Sequence, residues 1–214
     1  MDRPLRILIC AFGPFPGVPV NPSQQLAADL LRLRRPALSG MEIALDVLPT
    51  RWDALARLDA RLAAFDPDAV LLFGVAARRR RVSIEMLAAN AARAAPDAAR
   101  RHPPARRLLA DGPPLLRSPV PAGPLAHALR RAGIAAVPSR DAGRYLCNAS
   151  YFHALAWATR QRGRPRPVLF VHLPRREGRP AGVSRLRMGQ GMSRILLALA
   201  ADARRPADAS KSMG

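Results

Sequence analysis

The sequence predicts an α/β protein: a single-domain three-layer α/β/α sandwich around a mainly parallel, twisted sheet. Three observations carry that expectation. Short apolar runs at 5–10 (LRILIC), 69–73 (AVLLF) and 168–172 (VLFVH) lack polar alternation, as strands covered on both faces do. Stretches with helical spacing separate such runs, and a βαβα order packs helices on both sides of a sheet. A length of 214 residues suffices for one domain of this class and is short for two.

The elements follow in order. Residues 5–10 form the first strand. Asn21 and Pro22 then supply a cap and a proline at the first helical position, starting a helix that runs through Leu33. Residues 42–48 alternate as a strand does. Trp52, Leu55, Leu58, Leu62 and Phe65 form one stripe of a helix over 52–65. The strand at 69–73 ends at Gly74, and another strand is expected over 82–87. The segment 88–121, rich in Ala, Arg and Pro, reads as irregular. A helix at 123–132 stops at Gly133, and a strand at 134–137 follows. The turn residues Asp141, Ala142 and Gly143 precede a helix at 145–161. The strand at 168–172 and a last helix at 192–201 complete the set. The domain is taken to span 1–205, with 206–214 expected to be a disordered C-terminal tail.

Composition narrows the function classes. The hydrophobic fraction of 49% is that of a globular chain. No stretch approaches the ~20 apolar residues of a membrane span, and the first apolar run is too short for a signal-peptide core. A cytoplasmic protein with no membrane partner is therefore expected. Two cysteines, Cys10 and Cys147, make neither a disulfide framework nor a zinc spacing, so neither a metal nor a cofactor is expected. The net charge of +20 suggests a polyanion partner, but Lys211 is the only lysine among the 35 basic residues. Ala, Arg, Pro and Gly are residues of GC-rich codons, so base composition accounts for much of the charge. The run Arg78-Arg79-Arg80-Arg81 has no aromatic interleaving or recognition motif, and it reads as a solvated loop without a specific nucleic-acid partner.

Three residues fall where α/β folds gather their chemistry, at strand ends and helix starts. Glu85 lies in or just after a strand, Cys147 in the first turn of a helix, and His172 at the close of a strand. A helix N-terminus and a neighbouring imidazolium both favour a thiolate, and a carboxylate on the far ring nitrogen fixes the histidine tautomer. Other candidates recede. Cys10 sits inside a strand. His102 and His127 occupy polar surface contexts, and His153 lies on another face of the Cys147 helix. Residue chemistry alone still leaves Cys147 readable as a small core hydrophobe, and His172 as a structural histidine.

Four ordered segments resolve this by resemblance. AFGPFPGVPVNPS (11–23), LLFGVAARRRRVSIEMLAAN (71–90), DAGRYLCNASYFHAL (141–155) and VLFVHLP (168–174) resemble the pyroglutamyl peptidase I (pyrrolidone-carboxylate peptidase) family across nearly the whole chain. The resemblance implies a cysteine-type omega-peptidase that removes an N-terminal pyroglutamyl (5-oxoproline) residue from peptides through a thioester acyl-enzyme. It assigns Cys147 as nucleophile, His172 as general base and acid, and Glu85 as the orienting carboxylate. Backbone amides at the start of the Cys147 helix would hold the oxyanion. Phe12 and Phe15 match aromatics that sandwich the lactam. Tyr145 stands where the family often has a pocket-lining Phe. Gly74 and Val75 match loop backbone that hydrogen-bonds the lactam, and Arg93 is the equivalent of an arginine near the active site. Pyroglutamylated peptides are the implied partners, and a homo-oligomer is a further implication.

The chain departs from the family pattern in two places. Ala76-Ala77-Arg78 replaces the usual Gly-Gly-Arg, and paired acidic residues are absent after Asn90. Two other readings follow: a related cysteine hydrolase with altered acyl specificity, motivated by these changes, and a basic polyanion-binding protein on the same fold, motivated by the charge.

Overall fold

A buried backbone must pair its N–H and C=O groups, and apolar runs too short for helices do so as strands. In the computed structural model, which describes residues 3–33, 36–174 and 179–205, the order is as follows. Strand β1 (Leu5–Phe12) leads to helix α1 (Pro22–Arg32), then β2 (Met41–Leu48), α2 (Ala54–Phe65) and β3 (Ala69–Ala76). Strands β4 (Val82–Glu85), β5 (Leu87–Ala89) and β6 (Leu115–Arg117) come next, then α3 (Ala122–Arg131) and β7 (Ala136–Ser139). Helix α4 (Leu146–Thr159), β8 (Val168–Pro174) and α5 (Arg185–Ala203) close the chain.

Six strands form one sheet in the order β2-β1-β3-β8-β4-β7. Strands β2, β1, β3 and β8 are mutually parallel, while β4 runs antiparallel to β8 and parallel to β7. The sheet is thus mainly parallel, with a reversed pair at one side. Its two faces divide the core cleanly. Ile7, Ile9, Leu71, Phe73, Leu169 and Val171 pack under α1, α3 and α5. Leu8, Cys10, Val70, Leu72 and Phe170 pack under α2 and α4. Both faces are covered, which is why these strands read as continuous apolar runs. No helix among the described residues is long and apolar enough to cross a membrane.

Local chemistry sets the boundaries. The Asn21 side chain accepts from Ser23 N–H at 3.0 Å, and Pro22 opens α1. Helix α2 ends at Asp66, which takes a left-handed conformation with φ 45°. Three sequence expectations need correction. The strand expected over 82–87 is two: β4 stops at Glu85, and β5 leaves the main sheet to pair antiparallel with β6. The segment 88–121 is therefore not wholly irregular. Helix α5 begins at Arg185, capped by the Ser184 side chain, well before the expected residue 192. Its early turns hold Gly189 and Gly191, weak helix formers that hide the pattern. Gly191 is there for packing, since a Cβ would sit 2.3 Å from Ile134 Cδ1. The expected tail at 206–214 lies outside the described residues.

Two buried amides hold the segment between β5 and β6. Asn148 Oδ1 accepts from Ala89 N–H at 2.8 Å, and its Nδ2 donates to Ala89 O at 2.9 Å and to Ala91 O at 3.1 Å. Asn90 accepts from the N–H groups of Leu108 and Leu109, both at 2.9 Å, and donates to Leu109 O and Gly112 O. Replacing Asn148 with Ala leaves the buried Ala89 N–H without its acceptor and removes one donor each from the Ala89 and Ala91 carbonyls. It is expected to lower unfolding stability by about 2–3 kcal/mol, read as a lowered midpoint in urea. An unchanged midpoint would show that β5 is held by other contacts.

Candidate active site

The site grows from a mismatch in strand pairing. Strand β1 pairs with β2 as far as Phe12–Leu48, but its register with β3 stops at Cys10–Leu72. Gly74 and Val75 pair onward with β8 alone, which leaves their β1-facing edge without a strand partner. They belong to β3 itself rather than to a loop after it, since the strand runs on to Ala76. A crevice at the carboxyl ends of such strands is the usual site position in open α/β sheets. Here it is a cavity of about 460 Å³, and Phe12, Phe15, Val75, Arg93, Tyr145 and Cys147 are among the residues that line it.

Glu85 and His172 meet because β4 is antiparallel to β8. The register sets Ser83 opposite His172 and Glu85 opposite Phe170, so Glu85 and His172 are diagonal neighbours on the α4 side of the sheet. His172 Nδ1 lies 2.7 Å from Glu85 Oε1, with the two residues 4% and 0% exposed. An ionised carboxylate only accepts, so Nδ1 carries the hydrogen and Nε2 is left for a reacting group. The Phe170 ring packs on the imidazole at 4.7 Å between centroids. Gly74 is the β3 partner of His172, and a Cβ on Gly74 would sit 2.8 Å from Cys147 Sγ. The sulfur therefore rests over bare backbone, one strand away from the imidazole. Cys147 is the second residue of α4, whose N-cap Tyr145 makes no side-chain cap bond. The sequence-predicted trio is thus gathered in one place.

Sequence reasoning missed Arg79. The run 78–81 is not uniformly solvated: Arg78, Arg80 and Arg81 are exposed, but Arg79 turns inward. Its Nη1 donates to Glu85 Oε1 and its Nη2 to the carbonyl of Asp141, ahead of α4. Tyr151 Oη donates to the Glu85 carbonyl at 2.8 Å. Glu85 Oε2 is buried without a partner among the described residues. Only the proximity of Arg79 to Glu85 in the sequence hinted at this pair, and four adjacent arginines do not reveal which one turns in.

The cysteine's electrostatics overturn one expectation. Burial pushes the Cys147 thiol up from its ordinary 9.0, and the Glu85 charge pushes it further, to about 12. Its own backbone N–H and the Arg79 guanidinium pull the other way and lose. The helix N-terminus does not produce a standing thiolate. Cys10, wholly within the core, has its thiol raised by burial and by Asp46.

The cavity walls are fixed by backbone capture. Phe12 N–H donates to Ser23 Oγ at 3.2 Å, while Asn21 Nδ2 and Thr50 Oγ1 both donate to Gly13 O. Tyr145 Oη donates to Pro96 O at 2.9 Å, and its ring meets Trp52 edge-on at 5.3 Å. Asp97 accepts from the N–H groups of Trp52, Ala99 and Arg101 at 2.8–2.9 Å. Burial works against its charge, but these amides outweigh it and hold the carboxyl below the ordinary range. Of the remaining histidines, His153 contacts Asp59 on α2, and His102 and His127 are exposed. Among the described residues, no three His, Cys, Asp or Glu side chains converge as a metal site needs.

A family model described as pyroglutamyl peptidase matches residues 5–181. The pyrrolidone-carboxylate peptidase of Erwinia tasmaniensis is 35% identical over 171 residues, covering 79% of this chain and 78% of that one. Pyrrolidone-carboxylate peptidase 1 of Ralstonia nicotianae is 34% identical over 179 residues, covering 82% and 81%. Among solved structures, a mutant pyrrolidone carboxyl peptidase from the hyperthermophile Pyrococcus furiosus matches with a TM-score of 0.78 at 25% identity, over 93% of this chain and 97% of that one. Pyroglutamyl peptidase I of Bacillus amyloliquefaciens shares the fold, with a TM-score of 0.78 at 24% identity over 93% and 98%.

A thiol raised to about 12 is anionic only at high pH. Iodoacetamide should therefore alkylate Cys147 in the resting protein more slowly than free cysteine near neutrality, and ever faster as pH climbs past 9. A rate already at plateau near neutrality would contradict the raised value. Gly74→Ala places a methyl within 2.8 Å of both Cys147 Sγ and Phe170 Cζ. It is expected to lower turnover by about 10²-fold while the protein still melts cooperatively, and unchanged turnover would show that the sulfur has room to move.

Proposed function

Because the chain belongs to the pyroglutamyl peptidase family, we propose that Cys147, His172 and Glu85 perform that family's hydrolysis in this protein. The enzyme is a cysteine-type omega-peptidase, and the bond it cuts joins an N-terminal pyroglutamyl residue to the next amino acid. The observation that carries the residue assignment is the 2.7 Å contact of Glu85 Oε1 with His172 Nδ1, beside a cysteine that lines the cavity.

The thiol keeps its proton at rest, so attack and deprotonation go together. As Cys147 Sγ adds to the scissile carbonyl, His172 Nε2 takes the thiol proton, and Glu85 stabilises the imidazolium that forms. The oxyanion is met by first-turn amides of α4, including the Cys147 N–H that faces the sulfur. His172 then protonates the departing amine, and the C–N bond breaks to leave a thioester on Cys147. Water, deprotonated by His172, attacks the thioester and releases pyroglutamate and the free thiol.

The cavity suits the acyl group. A pyroglutamyl ring is small, flat and neutral, with one N–H and one C=O to satisfy. Phe12, Phe15 and Tyr145 offer apolar walls, and the edge of β3 at Gly74 and Val75 offers backbone donors and acceptors. Both cysteines are free thiols, the state that a reducing cytoplasm maintains, and we place the protein there.

The purified protein should release coumarin from a pyroglutamyl-coumarin amide and leave the prolyl analogue, which lacks the lactam carbonyl, nearly untouched. Cys147→Ala should reduce that turnover by about 10⁴-fold or more, and Glu85→Gln by about 10²–10⁴-fold, with melting temperatures close to the parent's. Full turnover by Cys147→Ala would sink the assignment, and equal turnover of the prolyl amide would point to a different acyl specificity.

A further inference from the structure

The pyroglutamyl ring carries no charge, so a cation on the cavity wall has no partner in the acyl half of the substrate. Arg93 is such a cation. It is exposed, it lines the same cavity as Cys147, and its guanidinium carbon lies 5.8 Å from the Tyr145 ring centroid. Its backbone is fixed, with the N–H donating to Arg144 O at 2.6 Å. Among the described residues no carboxylate pairs with its side chain. Asp97 is the acidic residue on the same wall, and both its oxygens are occupied. Oδ1 accepts from Ala99 and Arg101 N–H, and Oδ2 from Trp52 N–H. Among the described residues, then, the cavity has a cation available to a ligand and no available anion.

We propose that Arg93 forms a carboxylate subsite for the leaving half of the substrate. The favoured class is pyroglutamyl peptides whose second residue presents a carboxylate close to the scissile bond. That group is either the α-carboxylate of a pyroglutamyl dipeptide or the side chain of Asp or Glu. The inference rests on the peptidase reading above and extends it to the other side of the bond. Everything ionisable in the substrate lies beyond the bond that is cut, so charge recognition at this cavity acts there. Packing against Tyr145 partly shelters the guanidinium and limits its freedom, which makes a carboxylate contact worth more than one on open surface. A contact made equally in ground and transition states acts through KM.

The test uses two matched pairs at about 0.05 M salt, where screening is weak: pyroglutamyl-Ala against pyroglutamyl-Ala-amide, and pyroglutamyl-Glu-amide against pyroglutamyl-Gln-amide. At least one carboxylate member should show a kcat/KM about tenfold higher than its neutral partner, mainly through KM. The pair that shows it identifies which carboxylate Arg93 meets. In Arg93→Gln that ratio should fall to near one, and Arg93→Lys should keep part of it. Ratios near one for both pairs in the parent, or a ratio unchanged in Arg93→Gln, would overturn the subsite. A uniform loss on all four peptides counts as the latter, because it means that Arg93 serves the chemistry common to them. Turnover of the coumarin amide with flat ratios removes the subsite alone, whereas no turnover of any pyroglutamyl substrate removes the peptidase reading with it.

Discussion

Burying an ionised carboxylate costs several kcal/mol unless charge and hydrogen bonds meet it, and Glu85, with no exposed surface, imposes that constraint on the whole site. Its Oε1 answers it from two sides, with His172 Nδ1 at 2.7 Å and the Arg79 guanidinium, while Tyr151 holds its backbone carbonyl. The reversed direction of β4 makes this possible. It turns Glu85 and His172 into diagonal neighbours on one face, the face that α4 covers with Cys147. Arg79 reaches from the turn after β3 and also grips the Asp141 carbonyl, so one guanidinium ties the carboxylate to the segment that leads into α4.

How much of this the sequence held depends on whether the cause was periodic. Strands β1, β3 and β8 are buried on both faces, so their residues had to be apolar in an unbroken run. Helix α1 announced itself through Asn21 and Pro22, and the segment around Cys147 through ordered motifs. What stayed hidden was held by single polar side chains acting on backbone. Strands β5 and β6 are three residues each and hang on Asn148 and Asn90, whose bonds to main-chain groups leave no trace in the neighbouring residue types. The start of α5 was masked by two glycines, of which Gly191 answers the close approach of Ile134 rather than helix propensity. Arg79 was hidden by its neighbours: among four arginines, only the turn geometry decides which one faces the core.

The thiol shows how two correct principles can compete. A helix N-terminus favours an anion by about 0.3–1 kcal/mol, under one pKa unit. Enclosure by protein works in the opposite direction and can reach about 3–5 units. Glu85 adds a like charge nearby, and Arg79 offsets only part of it. The larger effect wins, and the sulfur keeps its proton. The sequence located Cys147 at the helix start but could not weigh the enclosure, which depends on strands from distant parts of the chain closing around it.

A protonated resting thiol also suits a neutral acyl pocket. In the mechanism we propose, charge at the reacting centre appears only when substrate arrives, as an imidazolium beside Glu85 and an oxyanion at the N-terminus of α4. The groups that meet those charges are already in place and held by the fold, so they need no reorganisation at the moment of reaction. A thiolate standing in the free enzyme would instead be stabilised before the reaction began, and stabilisation given to the ground state does not speed the chemical step. Glu85 and Arg79 thus form a standing ion pair beside the proposed nucleophile, and in the proposed reaction their fixed charges act on a proton that moves only as substrate reacts.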